Sequence, residues 1–283
     1  MSTVEHARLL WHGGGNAGPP SGARRARLRL RTIATEHPWF YLPFARRKYP
    51  GPSPWVLDRD TEVVIDGYTR SASTFAVYAF QIAQPRPVRV AHHLHAPAQL
   101  MRAAARGLPT IMVIREPRGA VLSQVVREPG VDLLDALWAY SRFHESLAHR
   151  RDAFVVADFE QVIHDFGSVV RRMNEKYGTS YGVFDDSEEQ LSSCRLLVGQ
   201  RDSLSPVLLG FESGTVTLDE AEAHLQSVPP TTAENRTWMP SADRDRAKEA
   251  LAAAWSEPSL THAKARAEDA YGWFTEQDAH AVT

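Results

Sequence analysis

A chain of 283 residues, 43% hydrophobic and 23% charged, has ordinary globular composition and enough length for one large α/β domain or two small ones. A formal net charge of −2 excludes a protein that coats nucleic acid through bulk charge, and the single cysteine, Cys194, excludes an internal disulfide and a thiolate zinc site. No apolar run approaches the roughly 20 residues that span a bilayer, and no apolar signal core lies in the first 30, so the expected compartment is the cytoplasm.

Residues 1–22, rich in Gly, Pro and Ser, are predicted to be disordered. Residues 23–60 form a basic and aromatic arm, in which Arg24, Arg25, Arg27, Arg29, Arg31, Arg46, Arg47 and Lys48 stand against Glu36 alone up to residue 48. Such a run reads as a solvated arm, or else as a patch for an anionic acceptor, a partner or peripheral contact with a membrane surface. Trp39, Phe40, Tyr41, Phe44, Tyr49 and Trp55 are interleaved with prolines, which argue against regular structure there. Aromatics at this density need burial, against the domain or in an acceptor pocket.

From residue 61 strands and helices alternate. Val63 to Ile65 reads as a buried strand, Val88 to Ala91 as a second, Pro109 to Ile114 as the clearest and Phe154 to Val156 as another. Helical patterns lie between them: the face of Phe75, Tyr78, Ala79 and Ile82, then Pro97 to Arg106 stopped by Gly107, a helix from Pro117, Asp132 to Arg150, and Asp165 to Tyr177. This alternation predicts an α/β fold with a parallel sheet flanked by helices, and ligands at the carboxyl ends of the strands. Residues 185–240 suggest loops and short helices, and helical character returns at Asp243–Trp255 and Leu260–Phe274.

Two segments point to an anion. The run from Val63 to Phe75 reads as strand, tight loop and helix start, with Arg70, small residues at Ser71, Ala72 and Ser73, then Thr74. Unsatisfied N–H groups of a first helical turn, three hydroxyls and a guanidinium make a phosphate cradle. The Walker ending Gly-Lys-Ser/Thr is absent, which disfavours a metal–nucleotide kinase. In the second segment Arg115 ends a buried strand, Pro117 opens a helix and Ser123 lies two turns along, so Arg115 and Ser123 converge.

Thr69-Arg70-Ser71-Ala72-Ser73-Thr74-Phe75 resembles the phosphosulfate loop Pro-(Lys/Arg)-Ser-Gly-(Thr/Ser)-Thr-(Trp/Leu) of PAPS-dependent sulfotransferases, with Thr69 for Pro and Ala72 for Gly. The alanine implies a negative φ at that position. The resemblance covers about residues 61–178. It implies a P-loop-like sheet in a single domain (61–275) with an N-terminal arm, a nucleotide core (61–178) and a helical closing region (179–275). It also implies 3′-phosphoadenosine 5′-phosphosulfate (PAPS) as co-substrate with no metal, held by residues 70–75, and a 3′-phosphate gripped by Arg115 and Ser123. The segment Val155–Glu160 is similar to a third family strand, with Asp158 expected as a helix-entry carboxylate.

The segment His92-His93-Leu94-His95-Ala96-Pro97 matches the His-x-Pro part of the family's Lys-Thr-His-x-Pro, with His93 in place of the lysine. This implies His95, or second His93, as the general base that takes an acceptor hydroxyl's proton, a role suited to histidine. Arg70 would replace the lysine's charge. In an extended chain His93 and His95 would share a face opposite His92, too few ligands for a convincing metal site. A C-terminal basic residue would close over the nucleotide: Arg236, with Arg244 and Arg246 as competitors. The expected reaction is sulfuryl transfer to a hydroxyl of a carbohydrate, phenol or lipid headgroup, releasing 3′,5′-adenosine bisphosphate. A P-loop kinase or a non-catalytic nucleotide-binding scaffold are the alternatives.

Overall fold

A computed structural model of the chain describes residues 22–49, 55–128, 130–203, 205–227 and 242–275. The disorder expected at the N-terminus and the candidate Arg236 lie outside the described residues.

The four apolar runs form β1 (Val63–Gly67), β2 (Val90–His92), β3 (Thr110–Ile114) and β4 (Val155–Asp158). All pair in parallel, in the order β2-β1-β3-β4. The helices in chain order begin with α1 (Gly22–Ala34), α2 (Pro38–Lys48), α3 (Ser73–Ile82), α4 (Pro97–Ala105), α5 (Pro117–Arg127), α6 (Leu133–Glu145) and α7 (Phe159–His164). They continue with α8 (Phe166–Tyr177), α9 (Glu188–Gln200), α10 (Pro206–Ser213), α11 (Leu218–Ser227), α12 (Ala242–Ala250), α13 (Ala252–Trp255) and α14 (Thr261–Thr275). The chain is thus an α/β domain, mainly helical around an all-parallel sheet.

Strand side chains alternate between two cores. Val63, Ile65, Ile111, Val113, Val155 and Ala157 face one, covered by α3, α8, α9 and α10. Val64, Met112 and Ile114 face the other, covered by α4, α5, α6 and α14. From β1 the chain passes to β2 on one side and then crosses to β3 on the other, so the order reverses beside β1. A crevice opens at such a switch point, past the carboxyl ends of the strands. There β1 ends in Gly67, where a Cβ would stand 2.0 Å from the Val113 carbonyl oxygen. Only glycine allows the two strand ends to approach so closely.

Three expectations change. The proline-rich segment is helical over Pro38–Lys48, with Pro43 inside. Pro38 occupies the first turn, where no N–H is missed, and Leu42 and Ala45 are buried against the domain, which offsets the one bond Pro43 cannot make. The basic segment is not a loose arm either, because α1 is folded onto α6. Arg25 Nε donates to Asp135 at 2.9 Å, Arg29 Nη2 donates to Asp135 at 3.1 Å, and Arg25 reaches Asp132 as well. Arg142 pairs with Glu36 from the other side. The helix expected to reach Arg150 stops at Glu145 and continues as a 3₁₀ segment over Ala148–Ala153.

Candidate functional site

The loop after β1 meets α3 at Ala72, which has φ +69° and stands as the helix N-cap; Arg70 also has φ +67°. The expectation of a negative φ at Ala72 is therefore wrong. Two left-handed residues wrap the backbone around the position an anion would take, and alanine bears the strain a glycine would avoid. Ser71 and Ser73 are buried, and their Oγ atoms have no hydrogen-bond partner among the described residues. Buried hydroxyls left without partners are costly in a closed core and ordinary in a ligand cradle.

Arg70 Nε donates to Ser123 Oγ at 3.0 Å, so the two segments singled out in the sequence touch directly. Ser123 thereby spends its oxygen as an acceptor and keeps its own proton to donate. Arg115 Nη1 donates to the Arg70 carbonyl at 3.2 Å, and its guanidinium lies 3.9 Å from the centre of the Phe159 ring. The Tyr140 hydroxyl donates to the Arg115 carbonyl at 2.6 Å and fixes that strand end. Burial lowers the pKa of Arg70 to about 10, with Arg127, Arg244 and Arg115 adding to the effect. Such a crowd of partly buried cations favours an anionic ligand.

His93 and His95 both adopt positive φ, at 58° and 50°. The extended arrangement expected for this segment is thus replaced by a curl after β2. His93 Nε2 lies 3.0 Å from Thr74 Oγ1, where it braces the loop. His95 stacks on His93 and turns its Nδ1 to the Gly67 carbonyl oxygen at 2.9 Å. A carbonyl only accepts, so Nδ1 carries the proton and Nε2 keeps the lone pair. Behind His95 lies Asp66, fully buried in β1, with Oδ1 3.4 Å from His95 Nδ1. Burial pushes its carboxyl pKa up, while His95 and hydrogen bonds from Gly67 N, Gln99 Nε2 and His95 N oppose that. Sequence reading missed Asp66. Its signal was a carboxylate inside an otherwise apolar strand.

Arg70, Ala72, Ser73, Thr74, Phe75, Arg115, Ser123, His93 and His95 all line one cavity of about 940 Å³. Ser71 is buried behind it. Arg127 and Arg195 join the lining, as does Arg244, which sequence reading ranked below Arg236. Arg246 instead pairs with Asp243 at the surface. The opposite wall comes from α1 and α2, with Arg27, Arg31, Tyr41, Lys48 and Tyr49. The cations that Arg70 feels are Arg127, Arg244 and Arg115, whereas those that Lys48 feels are Arg31 and Arg27. The cavity is thus lined by cations from α1 and α2 as well as from around the loop, with Glu36 and Glu128 as its acidic lining residues.

A buried cluster lies deeper. Donor atoms of His92, His93 and Glu212 fall within 4.8 Å of one another. The carboxylate that sequence reading did not find for this segment comes from α10. Glu212 is already engaged by Arg201 Nε at 2.5 Å and Nη2 at 3.1 Å, and by the Tyr78 hydroxyl at 2.8 Å. Its charge is balanced by the guanidinium, and a dication there would sit beside Arg201. Asp158 takes its expected place as the N-cap of α7, in a capping box with Gln161.

Compared with protein-family models, with curated proteins and with solved structures, the chain finds no match.

Proposed function

We propose that the chain is a sulfotransferase that takes its sulfuryl group from PAPS and delivers it to an acceptor hydroxyl. The observation that carries this reading is the meeting of both motifs and His95 in one cavity at the switch point of the sheet. The cradle after β1 suits the 5′-phosphosulfate, and its buried, unpartnered hydroxyls and desolvated arginine fit a polyanion. Arg115 and Ser123 are the candidates for the 3′-phosphate, with the free proton of Ser123 and the fork of Arg115 as donors. Arg236 lies outside the described residues, and among those described Arg244 is the candidate for the closing C-terminal arginine.

PAPS supplies a sulfuryl group already attached to a good leaving group. The protein's part is then positioning and charge stabilisation. Arg70 and the first-turn N–H groups of α3 hold negative charge on the departing phosphate oxygens. His95 Nε2 accepts the acceptor's proton, with Nδ1 held by Gly67 and the imidazolium supported by Asp66. Carbohydrate, phenol and lipid-headgroup hydroxyls all remain acceptor classes under this reading, and a cytoplasmic location is compatible with the buried thiol of Cys194.

The test reads the 3′-phosphate. Hydrogen bonds to a charged group contribute roughly 1.5–3 kcal/mol each, so two contacts predict at least about a hundredfold preference for 3′,5′-adenosine bisphosphate over 5′-AMP. Calorimetry on both nucleotides, with the parent and Arg115→Ala, should show that preference collapse in the variant. Equal affinities in the parent protein would sink the reading and favour a kinase or a binding scaffold.

A further inference from the structure

Helix α1 divides its surface three ways. At 100° per residue Arg25 and Arg29 share the face tied to Asp135 on α6, while Arg24, Arg27 and Arg31 share the face that lines the cavity. The third face carries Ala23, Ala26, Leu30 and Ile33, with Leu30 69% and Ile33 39% exposed. Helix α2 turns Leu42 and Ala45 inward and presents Trp39, Phe40 and Phe44 outward, at 79%, 51% and 56% exposure. Pro43 and Arg47 lie between these aromatics on the same exposed face.

Among the described residues, five of the eight large exposed hydrophobic side chains fall on this pair of helices. Scattered apolar side chains are normal on a surface, but a concentration of this kind marks an interaction site. Its surroundings say what kind. Between residues 22 and 49 the only acidic residue is Glu36, which is engaged by Arg142, while Arg46 and Arg47 stand exposed beside the aromatics on α2 and Arg27, Arg31 and Lys48 line the cavity behind them. Tryptophan and phenylalanine beside arginine, with no competing carboxylate, match the headgroup boundary of an anionic bilayer. Neither feature alone anchors a protein well; insertion of apolar side chains plus attraction to anionic headgroups supplies the two signals that stable anchoring needs.

We propose that the outward faces of α1 and α2 dock the protein onto a bilayer containing anionic lipid. The inner faces of the same helices wall the cavity, so docking brings the lipid surface within about one helix diameter, ~10 Å, of the cavity lining that includes Arg27, Arg31 and Lys48. No helix among the described residues is long and apolar enough to cross the membrane, so the contact is peripheral.

Sedimentation with vesicles tests this without any nucleotide, so its outcome is separate from that of the sulfotransferase reading. The full chain is mixed with vesicles of phosphatidylcholine alone, or with about a third phosphatidylglycerol, at low and at raised salt. Binding is expected on the mixed vesicles, weaker at raised salt and at least about tenfold weaker on phosphatidylcholine alone. The double variant Trp39→Ala/Phe44→Ala should lose at least about tenfold of vesicle affinity, and Arg47→Glu at least about fivefold. All three side chains are exposed, and an unchanged denaturation midpoint confirms that each variant is folded. Equal or absent binding on the two vesicle types overturns the proposal, as do variants that bind like the parent. A parent that self-associates without lipid, through contacts the double variant abolishes, also overturns it and makes the face an interface between copies.

Discussion

His95 acquires its tautomer from the backbone before any charge acts on it. The Gly67 carbonyl is its nearer partner at 2.9 Å, and Asp66 stands farther off at 3.4 Å. The two residues therefore make different contributions under the proposed function, and turnover should separate them. His95→Ala removes the proton acceptor and is expected to lower kcat by about 10²–10⁴ with nucleotide affinity nearly unchanged. Asp66→Asn keeps the ring oriented by Gly67 but loses the supporting charge and turns an amide NH2 toward one of the N–H donors the carboxylate accepts from. It should lower kcat by about tenfold, with KM for donor and acceptor unchanged, far short of the loss seen where a carboxylate alone sets the tautomer. Steady-state kinetics of the two variants checks this; a His95→Ala enzyme keeping a third of parental turnover removes the histidine from the mechanism. At this scale the residue types were legible, since Arg70, Ser73, Thr74, Arg115, Ser123 and His95 stand in the linear pattern and share the cavity. Asp66 was not, because its role depends on His95, 29 residues away in the chain, folding back over the end of β1.

The element that departs furthest from its linear reading is the loop that opens α3. Alanine in place of glycine suggests an unstrained position, yet Ala72 sits at φ +69°. An L-residue held there costs roughly 1–2 kcal/mol, part of which glycine returns through greater freedom in the unfolded chain. Ala72→Gly is accordingly expected to stabilise the protein by about 1 kcal/mol, read as a higher denaturant midpoint with an unchanged slope. A destabilised variant would mean that the loop does not hold a left-handed residue at 72. The same limit applies to α2. Counting prolines argues for irregular structure, but Pro38 opens the helix and the burial of Leu42 and Ala45 against the domain retains it past Pro43. Local rules of propensity are weak priors, and tertiary burial overrides them.

At the scale of the molecule, three histidines among the described residues are held neutral inside the fold. Burial pushes His92 and His144 down to about 4 and holds His93 well below its ordinary value. An unfolded histidine binds its proton near pH 6.5, so below that the unfolded chain gains protons that the fold refuses. Their contribution is complete above about pH 6.5 and is lost as pH falls toward 4, with a slope of up to ~1.4 kcal/mol per pH unit for each histidine. Asp66, whose carboxyl is pushed up by burial, has the opposite sign at the acid end of that window. Urea unfolding at pH 7, 6 and 5 should show stability falling with pH. His144→Phe, placed among Tyr140, Phe143 and Phe274, should reduce the slope. A flat profile would contradict the neutral burial of these rings.

By itself the sequence determined the alternation of strands and helices, the parallel α/β class and the two loop-and-helix segments that supply Arg70 and Arg115. All of these follow from short-range periodicity and from groups adjacent in the chain. Only the tertiary structure decided which of the N-terminal arginines are tethers and which line the cavity. That choice depends on Asp135 and Glu36–Arg142 contacts across more than a hundred residues. The same holds for the Glu212 carboxylate beside His92 and His93, and for Arg244 rather than Arg246 at the cavity. The order of the strands belongs here too, since it brings the ends of β1 and β3 side by side. Periodicity reports which face of an element is buried, whereas the neighbour that buries it is chosen by the packing of the whole chain.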